Sequence, residues 1–135
     1  MNGERDLDAL LRHMRPELRP GTFVFCTIAV NEGVPAALNP LLTFREQEGT
    51  TLVMPREEAE AAGLRYAFPS RLITLTVHSA LDAVGFLAAI TARLAEAGIS
   101  VNAVSAFHHD HLFVPADRAD EAMMLLQEMS DAKPL

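Results

Sequence analysis

Two stretches of this chain carry residue types that could do chemistry. The first is His78-Ser79-Ala80-Leu81-Asp82-Ala83-Val84-Gly85-Phe86. A β-prone run, Leu72–Val77, stops there, and a long apolar helical pattern starts almost at once. A strand that ends at a helix N-terminus gathers several free backbone N–H groups in a small space, which suits a carboxylate. The N–H groups of about Ala83–Gly85 would take that carboxylate. Asp82, or a nearby oxygen, would accept an amine, so the junction fits a zwitterion. Gly85 leaves room for close approach. A purely structural reading competes: Ser79 or Asp82 caps the helix and Gly85 only permits tight packing.

The second stretch is His108-His109-Asp110-His111. Imidazoles with a carboxylate suit zinc or nickel. Adjacent residues of a hairpin seldom converge on one ion, however. In an extended segment His109 and His111 share a face and His108 does not. The alternative is a polar turn that fixes the hairpin or lines a ligand pocket, and no metal is expected. His78, closing its strand, and Asn102, on the neighbouring strand, are further polar candidates, whereas Glu46 and Glu48 read as solvated turn residues. No catalytic set stands out. Ser79 with His78 is the one nucleophile–base pairing on offer, and adjacent residues in a strand point to opposite faces. There is no phosphate loop, nucleophile elbow or metalloprotease helix. The expectation is a binding protein without a cofactor, not an enzyme; a metalloprotein or small enzyme built on His108–His111, or a ligand-free oligomerisation module, is the alternative.

The chain has 135 residues, half of them hydrophobic, and 21% charged, which is enough for a folded globule with a core. A net charge of -7 argues against nucleic acid and against anionic membranes. The single cysteine, Cys26, lies inside an apolar run and reads as a buried thiol. The segment Met1–Asp6 is polar, and the apolar stretch Ala83–Ala92 is far short of the ~20 residues of a membrane span. A soluble, cytoplasmic protein is the expectation.

The elements that must position these residues follow from periodicity and punctuation. Leu7, Leu10, Leu11 and Met14 mark a first helix capped by Asp6 and stopped before Pro16. Thr22–Val30 reads as a strand covered on both faces, and Asn31–Pro40 as a loop with a short turn at Ala36-Ala37. Leu41–Glu46 and Thr50–Met54 form a hairpin, followed by a helix over 55–62 that opens on Pro55. Leu64–Pro69 is ambiguous. Leu72–Val77 is a strand, Ala83–Ala97 a helix closed by Gly98, Ile99–Phe107 a strand, His108–Asp110 a turn and His111–Val114 the return strand. Pro115 opens a last helix with an inner stripe of Ala119, Ala122, Met123 and Leu126, and the tail Ser130–Leu135 is expected to fray.

The halves repeat. Leu52–Ala59 reads like Leu112–Ala119, 60 positions later, and Phe25–Val30 lines up with Ile73–His78 at an offset of 48. The first half is therefore short by about one helix between its first two strands. The second half reads βαββα, one strand short of a ferredoxin-like βαββαβ unit, so the missing edge must come from the first half or from a partner chain.

The run Ser79-Ala80-Leu81-Asp82-Ala83-Val84-Gly85, with Leu94–Asn102 and His109-Asp110-His111-Leu112-Phe113-Val114-Pro115, resembles an ACT domain, the ferredoxin-like module that binds amino acids in metabolic enzymes and sensors. The chain is similar to small bacterial proteins with two ACT-like halves, related to the ACT domains of arginine sensors. Phe44–Leu52 carries the resemblance in the first half. Where relatives often have Gly-Tyr, this chain has Ala106-Phe107. The resemblance implies an α+β, ferredoxin-like fold of two tandem halves, 1–69 and 70–135, with antiparallel sheets and helices on one face. It implies a regulatory or sensor function. An amino acid or similar zwitterion would be held by the loop after a half's first strand, here His78, Ser79, Leu81, Asp82, Ala83, Val84, Gly85 and Phe86, with Asn102 beside it. A homodimer and a protein partner downstream are also expected.

Overall fold

The computed structural model describes residues 3–132. They form two compact units, one of Gly21–Ser70 and one of residues up to Pro20 together with Arg71 onward. The spatial boundaries therefore fall at 20/21 and 70/71, whereas a division into 1–69 and 70–135 would put the first twenty residues in the other unit.

The larger unit begins with α1 (Leu7–His13), whose N-cap Asp6 accepts a hydrogen bond from the Asp8 N–H at 3.1 Å. A short strand, β1 (Pro16–Leu18), follows. The chain re-enters this unit in the second part of β5 (Ala67–Leu75), then continues through α3 (Phe86–Glu96), β6 (Asn102–Ser105), β7 (Asp110–Pro115), a 3-10 turn (Ala116–Arg118) and α4 (Ala119–Asp131). The strand order is β1-β5-β7-β6. β1 runs antiparallel to β5, with Pro16 opposite Leu75 and Leu18 opposite Ile73. The missing edge strand of the βαββα pattern is thus supplied by the N-terminal segment, and the unit is ferredoxin-like. Three residues, Pro-Glu-Leu, are too short to show a period, so this strand has no signature of its own in the sequence.

Helices cover one face. Ile73, Leu75, Leu112 and Val114 of the strands pack with Leu10 and Met14 near α1, Phe86, Ile90 and Leu94 of α3, and Ala119, Ala122 and Leu126 of α4. Each large side chain so enclosed contributes roughly 1.5–3 kcal/mol. The end of α4 is fastened: the buried Ser130 hydroxyl donates to the carbonyls of Arg12 and Met14, at 3.2 and 3.1 Å. Ser130 is therefore ordered where fraying was expected; the rest of that expectation, from residue 133, lies outside the described residues.

The smaller unit contains β2 (Phe23–Ile28), β3 (Leu42–Arg45), β4 (Thr50–Pro55), α2 (Arg56–Ala61) and the first residues of β5. Its order is β3-β4-β2-β5, again ferredoxin-like but without the first helix. Residues 29–41 hold only turns, including one at Ala36-Ala37, and contribute Leu38 to a small core of Val24, Cys26, Ile28, Leu52, Met54 and Ala59. Cys26 is a free, buried thiol whose pKa burial pushes up, as suits a core side chain and not a nucleophile.

β5 corrects the strand expected at Leu72–Val77. It starts at Ala67, taking in the last three residues of the ambiguous segment, and stops at Leu75. Its register against β2 advances three residues while β2 advances two, from Phe25 opposite Ala67 to Phe23 opposite Ser70. This bulge accommodates Pro69, which has no N–H to donate, and leaves Phe68 at a φ of 56°. A bulky residue in that region is strained; the edge contact of its ring with Phe25, centroids 5.9 Å apart, helps to hold it.

Candidate functional site

The junction after β5 is a ten-residue loop, not a direct strand-to-helix step. The helix expected from Ala83 starts at Phe86, because Gly85 at its N-cap has a φ of 93° and breaks the helical path. The N–H groups at the start of α3 are therefore those of Phe86 and the residues after it, and no side chain caps them. At the other end, Gly98 at a φ of 74° closes the helix, and the Arg118 guanidinium donates to the Ala97 carbonyl at 2.9 Å.

The loop is tied down at several points. Thr76 donates its N–H and its hydroxyl to the Arg15 carbonyl, at 3.0 and 2.6 Å. Glu4 pairs with the loop like a short parallel strand: its N–H donates to the His78 carbonyl at 2.8 Å, and its carbonyl accepts from the Ala80 N–H at 2.9 Å.

Ser79 is neither a helix cap nor a surface residue. Its buried hydroxyl donates to Asp110 Oδ2 at 3.1 Å, and the Ser105 hydroxyl donates to Asp110 Oδ1 at 2.6 Å. Asp110 is only 5% exposed. Among the described residues, its carboxylate has no cationic side chain within ion-pair distance. A buried carboxylate without a counter-charge is costly, and two hydroxyl donors offset only part of that cost. A cavity of about 110 Å³ opens beside it. Ser79, Ala83, Ser105 and Asp110 line it together with Gly85–Ala88 at the start of α3. Its lining thus combines acceptor oxygens with a helix N-terminus, the two partners of a zwitterion.

The other expected residues divide. Gly85 and Phe86 line this cavity, Phe86 also being part of the core. Leu81 lines it as well but is 66% exposed. Val84 is exposed. Asp82 stands outside it: Arg5 grips its carboxylate in a bidentate pair, Nε to Oδ1 at 2.9 Å and a terminal nitrogen to Oδ2 at 3.2 Å, and this holds the Asp82 pKa below the ordinary carboxylate range. His78 lies with its ring 5.7 Å from that of His108 and 6.4 Å from that of Phe107. Asn102 is exposed on β6, opposite Phe113, and does not line this cavity.

Ser105 has no place among the residues expected from sequence, and Asp110 enters there only as part of a polar turn. A signal existed. Asp110 was placed in the hairpin turn, but the turn is Ala106–His109, closed by the Ala106 N–H on the His109 carbonyl at 3.0 Å, and Asp110 opens β7. Alternation from Leu112 and Val114, both buried, puts Asp110 on the same inward face. No three His, Cys, Asp or Glu groups converge on a point that could hold a metal among the described residues. His111 instead bonds through Nδ1 to the Thr74 hydroxyl at 3.0 Å, and its pKa is lowered by burial, with the neighbouring His109 adding to the effect.

Comparison with known proteins agrees with this architecture. ACT domain models match residues 2–71 and 67–128. No curated protein sequence matches. Among solved structures, a protein of unknown function from Vibrio cholerae, described as a possible transport protein, is 45% identical with a TM-score of 0.83, over 93% of this chain and 96% of its own. A protein from Agrobacterium tumefaciens is 19% identical with a TM-score of 0.74, over 87% of this chain and 89% of its own. The regulatory subunit of aspartate kinase from Thermus flavus shares the fold at 9% identity, with a TM-score of 0.65 over 84% of this chain and 95% of its own. Two family models that together span nearly the whole sequence, laid over two ferredoxin-like units, establish that the chain belongs to the ACT domain family.

Proposed function

We propose that this protein is a regulatory, non-catalytic sensor that binds one amino acid per chain at the Asp110 cavity. The family supports a regulatory small-molecule-binding role. The observation that carries the finer reading is the buried Asp110 carboxylate, which accepts from Ser79 and Ser105 and has no cationic partner among the described residues. The ligand's ammonium supplies that charge. The N-terminus of α3, with Gly85 allowing close approach, receives the carboxylate. Ser79, Ala83, Gly85, Phe86 and Leu81 belong to this site, while His78 and Asp82 stand at its border. Val84 and Asn102 have no role in it. A signal would pass to a protein partner through a homodimer, in the manner the family suggests. No helix among the described residues is long and apolar enough to cross a membrane.

A thermal-shift screen of the twenty amino acids tests the reading. A ligand at 100 times its dissociation constant adds ~2.7 kcal/mol of stability. Failure of every amino acid to raise the melting temperature at millimolar concentration would refute it.

A further inference from the structure

A second cavity, of about 250 Å³, adjoins the first. The two meet at Ala80 and Leu81, which line both. One wall of the second is the N-terminal segment, through Gly3 and Arg5; the others are His78, Asp82 and Phe107. The wall is fixed in place. Glu4 bonds to the loop in both directions, and Gly3 approaches so closely that a Cβ there would lie 2.7 Å from the Ala80 nitrogen. A side chain at position 3 would push this segment off the loop.

Two features define what the cavity can hold. Its large apolar side chains stand open to water: Leu81 is 66% and Phe107 62% exposed, with the His78 ring tilted 35° to that of Phe107. Its two charges are spent on each other, since Arg5 and Asp82 form a bidentate pair. A cationic or anionic group entering here would have to compete for a charge already engaged. An uncharged apolar or aromatic group would cover Leu81 and Phe107 and gain from their burial.

Resting on the reading of Asp110 as the ammonium site, we infer that the second cavity takes the ligand's side chain. It selects an uncharged aromatic or branched aliphatic amino acid over a charged one, and Arg5 sets that preference by neutralising Asp82. The N-terminal segment is thereby a specificity element of the site.

Calorimetric titration of the full chain with phenylalanine, leucine, alanine, arginine and aspartate tests this. Phenylalanine or leucine is expected to bind about tenfold or more tightly than arginine and aspartate. Phe107→Ala, at an exposed position that leaves the core intact, should weaken phenylalanine or leucine by about tenfold and leave alanine unchanged. Arg5→Ala should free Asp82 and raise the affinity for arginine several-fold relative to leucine. Arginine or aspartate binding the unmodified chain as tightly as the neutral amino acids would overturn the inference while leaving the Asp110 reading intact. So would a Phe107→Ala protein with unchanged preference. If none of the five binds, and the wider screen is also silent, the Asp110 reading itself falls and takes this inference with it.

Discussion

Asp110 and Thr50 occupy the same place in their hairpins. Ser105 pairs with Asp110 across β6 and β7, and Arg45 pairs with Thr50 across β3 and β4; every register pair of one hairpin recurs in the other at an offset of 60. The backbones match and the chemistry does not. The larger unit has a buried carboxylate there, two serine donors and the start of an eleven-residue helix beside it. The smaller unit has a threonine and an arginine, and turns over 29–41 in place of that helix. On the proposed reading, this difference gives one site per chain and not two. A repeated fold repeats its strand register, because hydrophobic alternation and turn length set register. It does not repeat a site whose groups come from side chains at the ends of elements.

The largest effect that could break this contrast is in the helix itself. Ile90 is fully buried in α3, and Ile90→Ala is expected to cost ~2–5 kcal/mol, read as a fall in the urea midpoint. Leu38→Ala, in the loop that stands in the helix's place, packs only partly against its core and should cost ~1–2 kcal/mol. Equal losses would show the loop to be as integral as the helix. Next comes the site. Asp110→Asn should remove the ligand-induced stabilisation of ~2.7 kcal/mol at 100 times the dissociation constant, without lowering the stability of the ligand-free protein, because it takes away an uncompensated buried charge. Thr50→Val at the matching position should leave ligand stabilisation unchanged. The reverse pattern would move the site to the other unit.

The smallest effect concerns His111, whose counterpart at the same offset is Thr51. The folded His111 has its pKa lowered by burial, so below the ordinary value of 6.5 the unfolded chain takes up a proton that the native state resists. This contribution to stability is fully present above 6.5 and is lost as pH falls toward the lower folded value. His111→Gln should flatten that part of the stability–pH curve. A curve unchanged between about pH 6.5 and 5 would assign the dependence to other groups.

Much of the fold was legible because it rests on local rules. Asp6 as a cap, Pro55 and Pro115 at strand–helix joins, Gly98 beyond a helix and the hairpin around Gly49 all act within a turn or two of chain. The loop that lines the proposed site was legible as a connecting segment, from His78 to Phe86, but not in its detail. Helical periodicity continued smoothly through Ala83 and Val84, and nothing local showed that Gly85 would turn left-handed and delay the helix to Phe86. Asp82 looked like the acceptor because it sits next to the helix in sequence. Arg5, 77 residues away, occupies it instead.

The sequence alone determined two repeated halves, a missing helix in the first, and a loop between strand and helix in the second. These follow from periodicity, which depends only on neighbours in the chain. Only the tertiary structure decided that Pro16–Leu18 closes the sheet of the other half, that Ser79 and Ser105 are the two donors that meet Asp110, and that Glu4 and Arg5 fasten the loop. Each of these joins residues far apart in the chain, through edge pairing or the satisfaction of a buried polar group. Such pairings carry no period, and they come into view only when the chain is folded.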